Sequence, residues 1–392
     1  TGQNVTWSAA NGATEQEAAS VGPAWKLAGM GDFDGNGKAD IIWRNTTTGQ
    51  NVLWSDGSNA GEQFITGVGS QDWKIAGTGD FNGDGKADVF WRNGATGQNA
   101  IWSSGNSATE QGAASVGVAW KLAAVGDFDG NGKADIIWRN TTTGQNVLWS
   151  DGSNAGEQFI AGVGSQDWKI AGTGDFNADG KADVLWRNGV TGQNAIWSSA
   201  NSATEQAVAS VGVAWTVAAV GDYDANGKAD IIWRNSTTGQ NVRWNDANQA
   251  TEQFITPVGN TQWALVQQTG AGVPDESAPL SSRSATHDYN GDGKSDMLWR
   301  NTSTGQNALW PSGNSGAEQE LQGVAGTWKL AAVGDFDGNG KSDLIWRNNS
   351  TGQNVKWDNG DSATEQFITS VGNTDWKLAA VGDFDGNGKS DI

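Results

Sequence analysis

An acidic, glycine-rich stretch recurs eight times along the 392-residue chain and constrains its fold more than any other feature. The copy at residues 31–54 is GDFDGNGKADIIWRNTTTGQNVLW. Successive copies lie 47 or 48 residues apart, with one spacing of 66, and the segment from 32 to 127 is nearly duplicated from 127 to 222. A repeat of this length indicates stacked units, because repetition overrides the usual inference of two or three unrelated domains from length.

Each unit contains four short segments with the pattern of β-strands, at residues 25–33, 40–45, 51–55 and 61–66 in the first unit. Period-two alternation places Ile41 and Trp43 on one face of a strand and Ile42 on the other. The position of Leu53 carries Arg243 and Lys356 in two other units, which predicts that this position contacts water.

Four-stranded units of this length cannot bury their faces alone, and radial stacking predicts a β-propeller. The spacing from Asp383 through Ile392 and on to Asp32 is 41 residues, six short of a unit, and the 23 Trp residues are one fewer than eight full units would carry. We therefore predict an all-β, eight-bladed β-propeller of four-stranded blades, a single domain over residues 1–392, closed by pairing the N- and C-terminal half-blades. The incomplete seam offers a surface for self-association.

One segment departs from the repeat. Residues 265–287, LVQQTGAGVPDESAPLSSRSATH, add about 18 residues inside the sixth inner strand. Their Pro, Ser and Gly content predicts an insertion loop on one face, either a plain surface loop or a unique recognition loop.

The acidic stretch has the side-chain spacing of a calcium loop. Counting from Asp32, oxygen-bearing side chains stand at positions 1, 3, 5 and 9, a glycine stands at position 6, and Lys38 at position 7 would contribute its backbone carbonyl. An ordinary Asp-rich turn is the alternative. The predicted metal ligands of the eight loops are Asp32, Asp34, Asn36, Lys38, Asp40; Asp80, Asn82, Asp84, Lys86, Asp88; Asp127, Asp129, Asn131, Lys133, Asp135; Asp175, Asn177, Asp179, Lys181, Asp183; Asp222, Asp224, Asn226, Lys228, Asp230; Asp288, Asn290, Asp292, Lys294, Asp296; Asp335, Asp337, Asn339, Lys341, Asp343; and Asp383, Asp385, Asn387, Lys389, Asp391.

Charge supports bound cations in these loops. The chain has 44 Asp plus Glu against 24 Lys plus Arg, and eight divalent ions would change its formal charge from −20 to −4. We predict up to eight Ca²⁺, one per loop, because Mg²⁺ retains its waters and rarely occupies an all-protein cage. Loops of this kind often bind at roughly 10⁻⁴ to 10⁻³ M, so we expect an extracellular protein, secreted or on the cell surface.

The loops and the blade pattern resemble the FG-GAP or VCBS repeat family across nearly the whole chain. This family forms calcium-loaded propellers in integrin α-chain heads and in bacterial surface and secreted proteins. The resemblance to propeller lectins implies multivalent glycan recognition in pockets between blades.

The Trp residues fall into three classes in each unit, represented by Trp25, Trp43 and Trp54. We expect Trp43 and Trp54 to pack between blades. The Trp25 class lies where the chain crosses to the next blade. Its rings would either pack within the protein or stack on a sugar ring. The candidate carbohydrate-binding residues are Trp25, Trp73, Trp120, Trp168, Trp215, Trp263, Trp328 and Trp376.

Two further repeated groups of residues each have two possible roles. Arg44 and its counterparts would either brace a loop carboxylate or bind a glycan. The Glu-Gln pair at residues 15–16 and its counterparts would either support the outer strand or contact a ligand.

The composition excludes several functions. Strong negative charge disfavours nucleic acid and anionic membranes, and no apolar run is long enough for membrane insertion. The chain has no Cys, and its only His is His287, so thiolate sites and a Ser-His-Asp triad are not expected. We expect no enzymatic activity. We favour a multivalent carbohydrate-binding or adhesion module whose partners are glycans or extracellular polymers; the alternative is a structural or filament-forming surface protein, and a polysaccharide lyase is a remote alternative.

Overall fold

A computed structural model describes residues 4–10, 15–18, 22–58, 60, 62–65, 67–68, 70–160, 162, 165–255, 263–265, 287–370 and 375–392. Within these ranges the chain forms β-strands, short 3-10 turns and no α-helix. Twenty-eight of the strands form seven four-stranded antiparallel sheets, each built from four strands that are consecutive in the sequence. These sheets are the blades of a β-propeller.

The strands of each blade follow one another along the chain. The first three blades contain β3 (Trp25–Gly31), β4 (Asp40–Asn45), β5 (Asn51–Trp54) and β6 (Glu62–Ile65); β7 (Trp73–Gly79), β8 (Asp88–Asn93), β9 (Asn99–Trp102) and β10 (Glu110–Ala113); and β11 (Trp120–Gly126), β12 (Asp135–Asn140), β13 (Asn146–Trp149) and β14 (Glu157–Ile160). The fourth and fifth blades contain β15 (Trp168–Gly174), β16 (Asp183–Asn188), β17 (Asn194–Trp197) and β18 (Glu205–Val208); and β19 (Trp215–Gly221), β20 (Asp230–Asn235), β21 (Asn241–Trp244) and β22 (Gln253–Ile255). The sixth and seventh blades contain β23 (Trp263–Leu265), β24 (Met297–Asn301), β25 (Asn307–Trp310) and β26 (Gln319–Leu321); and β27 (Trp328–Gly334), β28 (Asp343–Asn348), β29 (Asn354–Trp357) and β30 (Gln366–Ile368).

Short 3-10 turns follow the third strand of every blade. They span Ser55–Gly57, Ser103–Gly105, Ser150–Gly152, Ser198–Ala200, Asn245–Ala247, Pro311–Gly313 and Asp358–Gly360, and a similar turn spans Ser8–Ala10. A second 3-10 turn precedes the outer strand in six blades, at Ser107–Thr109, Asn154–Gly156, Ser202–Thr204, Gln249–Thr251, Ser315–Ala317 and Ser362–Thr364.

The prediction of eight blades closed by strand pairing was wrong, because the described residues form seven four-stranded blades. Near the N-terminus, β1 (Asn4–Trp7) pairs only with β2 (Glu15–Ala18). Residues 375–392 form one isolated bridge, between Gly382 and Asp391. Within the described residues no strand joins these two segments into one sheet. They still touch, since Ser8 Oγ donates a hydrogen bond of 2.5 Å to Asp385 and the Ala9 amide donates one of 2.6 Å to Asp391.

The core lies between neighbouring blades, because both faces of the middle strands are apolar. Ile42 and Leu53 of the first blade pack against Val89 and Trp91 of the second. Trp91 is 1% exposed, and burying about 150–250 Å² of an aromatic side chain contributes on the order of 4–6 kcal/mol at about 25 cal/mol per Å². Stacking of this kind explains why one unit is not stable alone.

The prediction that the Leu53 position contacts water was also wrong. Leu53 is 5% exposed, and its charged counterparts Arg243 and Lys356 are 9% and 8% exposed. The side chain points into the interface with the next blade, so a cation there must find partners within the protein. Lys356 does so through an ion pair with Asp358, at 2.7 Å.

The predicted insertion at residues 265–287 lies largely outside the described residues. Only its first and last residues are described: Leu265 ends β23, and His287 is partly buried next to the sixth acidic loop. The insertion loop therefore stays a prediction, as does the single-domain boundary at 1–392.

Candidate functional site

The acidic loops connect the first and second strands of each blade, and their backbone is tightly turned. In the first loop, Gly35 and Gly37 have φ values of 77° and 84°, in the left-handed region that favours glycine. The same turn recurs in the other loops, although Ala178 and Ala225 occupy the position of Gly35 in the fourth and fifth, each with φ of 62°.

Hydrogen bonds within the loop orient the side chains at positions 1, 3 and 5. Both carboxylate oxygens of Asp32 accept backbone N–H groups, from Gly35 at 2.7 Å and from Gly37 at 2.8 Å. Asp34 accepts the amide of Asn36 at 3.0 Å, and the Asn36 side chain accepts the amide of Lys38 at 2.8 Å. These hydrogen bonds fold the loop around its own oxygen atoms.

The carboxylate at position 9 anchors the loop to the blade. Asp40 is fully buried and accepts hydrogen bonds from the amides of Phe33 and Asp56, both at 2.8 Å. Burial raises the pKa of Asp40 to about 6, although these two hydrogen bonds partly oppose the increase. The same burial raises the pKa of Asp135 to about 7. Ionising a buried carboxylate is costly, and a bound cation would offset that cost, so these carboxylates are well suited to be metal ligands.

Three carboxylates converge in five of the eight loops, with one oxygen from each lying within 4.8 Å of the others. These groups are Asp32, Asp34 and Asp40; Asp127, Asp129 and Asp135; Asp222, Asp224 and Asp230; Asp335, Asp337 and Asp343; and Asp383, Asp385 and Asp391. In the other three loops Asn82, Asn177 and Asn290 occupy position 3, and the third Asp is at position 5. All eight loops thus offer several hard oxygen donors from one short segment, which is the chemistry that Ca²⁺ requires. Carbonyl ligation at the Lys positions stays a prediction.

Sequence reasoning missed one residue of each site, at the second position of the 3-10 turn after the third strand. Asp56 accepts hydrogen bonds from the Asn36 amide and the Lys38 ammonium, both at 2.8 Å. Where position 5 is Asp instead, the turn residue is Ser, and Ser312 Oγ donates to Asp292 at 2.9 Å. The signal was present in the first seven loops of the sequence. When position 5 is Asn, the residue 20 positions later is Asp or Asn, and when position 5 is Asp, that residue is Ser.

Neighbouring loops are joined into a closed circle by backbone hydrogen bonds. The amide at position 8 of each loop donates to the carbonyl of the first Asp of the preceding loop, as Ala87 does to Asp32 at 2.8 Å. Ala39 closes the circle by donating to Asp383 at 2.8 Å. The other six bonds join Ala134 to Asp80, Ala182 to Asp127, Ala229 to Asp175, Ser295 to Asp222, Ser342 to Asp288 and Ser390 to Asp335.

The candidate carbohydrate residues lie at the opposite end of the blades. Trp25 pairs with Asn45 at one end of β3, whereas Gly31 pairs with Asp40 at the acidic-loop end. All eight Trp residues of this class are partly exposed. Trp43 and Trp54, by contrast, are 6% and 1% exposed, with ring centroids 5.3 Å apart. Both of these inner classes are packing residues, as expected.

The repeated Arg braces neighbouring blades, but not through a loop carboxylate. Arg139 donates to the carbonyl of Gly144 and the side chain of Asn146 in its own blade, and to the carbonyl of Trp168 at the start of the next. Its guanidinium also lies over the ring of Trp186, 5.2 Å from the centroid. Burial lowers the pKa of Arg139, and its charge is distributed over neutral acceptors.

The Glu of the repeated Glu-Gln pair has a structural role in the seven complete blades. Trp54 Nε1 donates to Glu62 at 3.2 Å, and Trp149 donates to Glu157 at 3.0 Å. The five other bonds of this kind join Trp102 to Glu110, Trp197 to Glu205, Trp244 to Glu252, Trp310 to Glu318 and Trp357 to Glu365. The side chains of residues 15–16 are outside the described part of the structure. Among the described residues, no helix is long and apolar enough to span a membrane.

Comparison with solved structures shows the fold at low sequence identity. A lectin from Agrocybe aegerita that recognises non-reducing terminal N-acetylglucosamine is 12% identical, with 93% of this chain and 95% of the lectin covered at a TM-score of 0.54. Prolyl oligopeptidase B from Galerina marginata is 7% identical, with 90% of this chain covered at a TM-score of 0.51. The match covers 52% of the peptidase, so this chain corresponds to about half of its length. No curated protein sequence matches the chain.

The model of the FG-GAP-like repeat matches residues 32–91, 80–138, 127–186, 175–233 and 288–346, which together are more than half of the chain. Each matched segment contains acidic loops and the strands that follow them. The chain therefore belongs to the FG-GAP-like repeat family of β-propellers.

Proposed function

We propose that this protein is a calcium-stabilised propeller that binds carbohydrate at repeated sites outside the cell. The observation that carries the proposal is the partial exposure of the Trp25 class at every blade junction, while the other two Trp classes are buried. A flat aromatic surface of this kind suits the apolar face of a sugar ring. The similarity to the Agrocybe lectin supports a carbohydrate ligand.

Calcium would act on structure in this proposal. The carboxylate triads lie at the opposite end of the strands from the Trp25 class, so a bound ion would not touch a sugar stacked there. The ion would neutralise Asp40 and its counterparts, which burial makes costly to ionise. Because neighbouring loops are hydrogen-bonded to each other, rigid loops would fix the spacing of the blades and hence of the Trp residues.

Repetition would supply the affinity. Equivalent junctions around the propeller are each expected to bind one sugar weakly, and simultaneous binding to a polymer or a cell surface raises the overall affinity without new contacts. Calcium affinities of roughly 10⁻⁴ to 10⁻³ M suit a calcium-rich extracellular setting.

A glycan array tests the proposal. Binding is expected at about 2 mM free calcium and should fall when Trp120 and Trp215 are both changed to Ala. Lys121→Ala is a suitable control because Lys121 is exposed and adjoins Trp120 on the same strand. Absence of glycan binding by the folded, calcium-loaded protein would rule out the carbohydrate function and leave the calcium-loaded propeller as a scaffold.

One observation favours assembly as a second function. Phe64, Phe159, Phe254 and Phe367 are 70–76% exposed on the outer strands of alternate blades. Exposed aromatic residues on outer strands favour association between proteins. Sedimentation velocity would show concentration-dependent assembly that disappears when the four Phe residues are changed to Ser. A monomer at all concentrations would exclude this function.

A further inference from the structure

Six exposed Lys residues lie at the end of the blades opposite the acidic loops. Each directly follows a Trp of the Trp25 class, on the first strand of a blade or on the C-terminal segment at residues 375–392. They are Lys26, Lys74, Lys121, Lys169, Lys329 and Lys377. Among the described residues, none of the six forms an ion pair. Their ammonium groups are therefore available to a partner.

These Lys residues lie on neighbouring segments, because the first strands of adjacent blades lie side by side. A Cβ added at Gly29 of β3 would lie 3.4 Å from Thr78 of β7, and one added at Gly77 of β7 would lie 3.2 Å from Val125 of β11. The closed circle of backbone hydrogen bonds between loops places the C-terminal segment between the seventh and first blades.

The six residues therefore form one continuous arc, which we call the Lys arc. Its members follow one another in the order Lys329, Lys377, Lys26, Lys74, Lys121 and Lys169. The fifth and sixth blades carry Thr216 and Ala264 at the same position, which leaves the arc open. Positive charge distributed along an open arc suits a linear anion better than a compact one.

The carboxylates of the acidic loops do not cancel the charge of the Lys arc. Lys26 and Asp32 are separated by six residues of extended chain, about 20 Å at about 3.3 Å per residue. That distance is more than twice the Debye length of about 8 Å at 0.15 M ionic strength. At the Lys end, the exposed carboxylates of the described residues are Asp72, Asp167 and Asp375. This end is therefore positive, although the formal charge of the whole chain is −20.

The spacing of the cations favours an acidic polysaccharide over a nucleic acid. Neighbouring Lys residues belong to separate sheets, so their strands are at least as far apart as hydrogen-bonded strands, about 4.7 Å. B-DNA carries one charge per about 1.7 Å of its axis, so most of its phosphates would face no Lys. A polysaccharide with one charged group on each sugar is a closer match.

The Arg residues at this end do not add a phosphate site. A guanidinium can hold phosphate through two parallel hydrogen bonds when its N–H groups are free. Arg139 is buried and donates instead to the carbonyls of Gly144, Ser165 and Trp168. The exposed cations of the Lys arc are point charges, which suit carboxylate or sulfate groups that are spaced along a polymer.

We propose that the Lys arc binds a linear acidic polysaccharide with a carboxylate or sulfate on each sugar. Each ammonium contacts one charged group, and the contacts act together because the groups are joined in one chain. Stacking of a sugar on the Trp25 class requires an aromatic ring and no charge. The Lys arc is therefore a separate binding surface, and it does not depend on the proposed stacking.

Isothermal titration calorimetry with a chondroitin sulfate decasaccharide, at millimolar calcium, tests the proposal. The affinity should fall between about 50 and 200 mM salt, because bound cations replace counterions of the polymer. Lys74→Thr combined with Lys121→Thr should weaken binding roughly tenfold, because two ion pairs are lost. Thr is native at this position in the fifth blade, so the variant should fold. Thr216→Lys lengthens the arc and should strengthen binding roughly threefold.

Gly112→Glu combined with Ala207→Glu is the matched control. It changes the formal charge by the same amount as the double Lys variant, but on exposed positions of outer strands where Glu320 is native in the sixth blade. It should leave the affinity unchanged. Trp120→Ala combined with Trp215→Ala should leave the salt dependence unchanged, and the double Lys variant should bind neutral glycans as the unmodified protein does.

Three results would overturn the proposal. The first is equal affinity in the double Lys variant and the unmodified protein, or an affinity that does not change with salt. The second is tighter binding of single-stranded DNA of the same length, or of anionic lipid vesicles, than of the polysaccharide. The third is no gain in Thr216→Lys, because a gain of affinity cannot result from misfolding.

Discussion

Replacement of the Arg139 guanidinium should weaken the contact between the third and fourth blades and destabilise the fold. Arg139 makes four hydrogen bonds of 2.9–3.2 Å, two within its own blade and two to carbonyl groups of the crossover to the next. Its guanidinium also lies over Trp186, which is fully buried. In Arg139→Met the apolar stem is largely retained, so the change isolates the guanidinium.

The expected loss of unfolding free energy is about 3–5 kcal/mol. The acceptors on Gly144 and Asn146 are buried, and the loss of each hydrogen bond from the charged donor costs about 1.5–3 kcal/mol. The cation–π contact adds about 0.5–2 kcal/mol. The carbonyls of Ser165 and Trp168 are partly open to water, which can replace their lost donor, so they add little.

Urea unfolding followed by Trp fluorescence measures the loss. Arg139→Lys should recover only a small part of it, because an ammonium retains the charge but not the planar fork of donors. Lys121→Met is the control, since Lys121 pairs directly opposite Arg139 but is exposed, and it should cost less than about 0.5 kcal/mol. A loss below about 1 kcal/mol in Arg139→Met would refute the view that the guanidinium holds the two blades together.

Three further predictions concern the acidic loops. Removing calcium with a chelator should lower the melting temperature by more than about 10 °C, because binding at each loop stabilises the folded state by about 2.7 kcal/mol when calcium is at 100 times its Kd. Equal melting temperatures in chelator and in 10 mM calcium would exclude the calcium sites. Without metal, the free energy of unfolding should fall as pH rises from about 4 to 7. Burial raises the pKa of Asp135 to about 7 and of Asp40 to about 6, above about 3.9 in the unfolded chain, so the folded state binds more protons than the unfolded state in that pH range. Calcium should abolish this pH dependence, and a stability that does not change with pH in chelator would contradict the burial argument. Asn36→Asp and Asp56→Ser should each destabilise the first blade by about 1 kcal/mol, because each removes the hydrogen bond between the two side chains. The double variant reproduces the Asp292–Ser312 pair of the sixth blade and should recover most of that loss in a double-mutant cycle. Additive losses would show that the two positions are not coupled.

The strands and loops were predictable because local chemistry determines them. Alternation in residues 40–45 and the turn residues around Gly35 and Gly37 require no knowledge of distant segments. The number of blades was not predictable in the same way. The residue count of the two end segments was nearly right for one unit, but a count does not determine strand pairing. In the described residues β1 pairs with β2, and residues 375–392 form one isolated bridge.

The environment of the side chains at the blade interfaces was the other feature that could not be predicted from the sequence. Charge at Arg243 and Lys356 indicated contact with water, yet both side chains are buried. Arg243 has a distant partner in the carbonyl of Ser312, whereas Lys356 pairs with the nearby Asp358. The role of Asp56 was missed because Asp56 lies 20 residues after Asn36 and acts through a contact that forms only in the folded blade, although the matched residue types at the two positions were visible in the sequence. The brace formed by Arg139 uses backbone carbonyls, which no sequence pattern identifies.

The pairing of consecutive strands has a consequence for how copies of nearly identical sequence find the correct partner. β12 reaches β13 across five residues, whereas the same NVLW sequence in β5 is separated from β12 by 80 residues. Each doubling of a loop costs about 0.6 kcal/mol of chain entropy, so the distant twin is disfavoured by about 2.4 kcal/mol before any packing occurs. Each sheet can therefore form from its own neighbours first, and errors between duplicated segments are suppressed by proximity along the polypeptide.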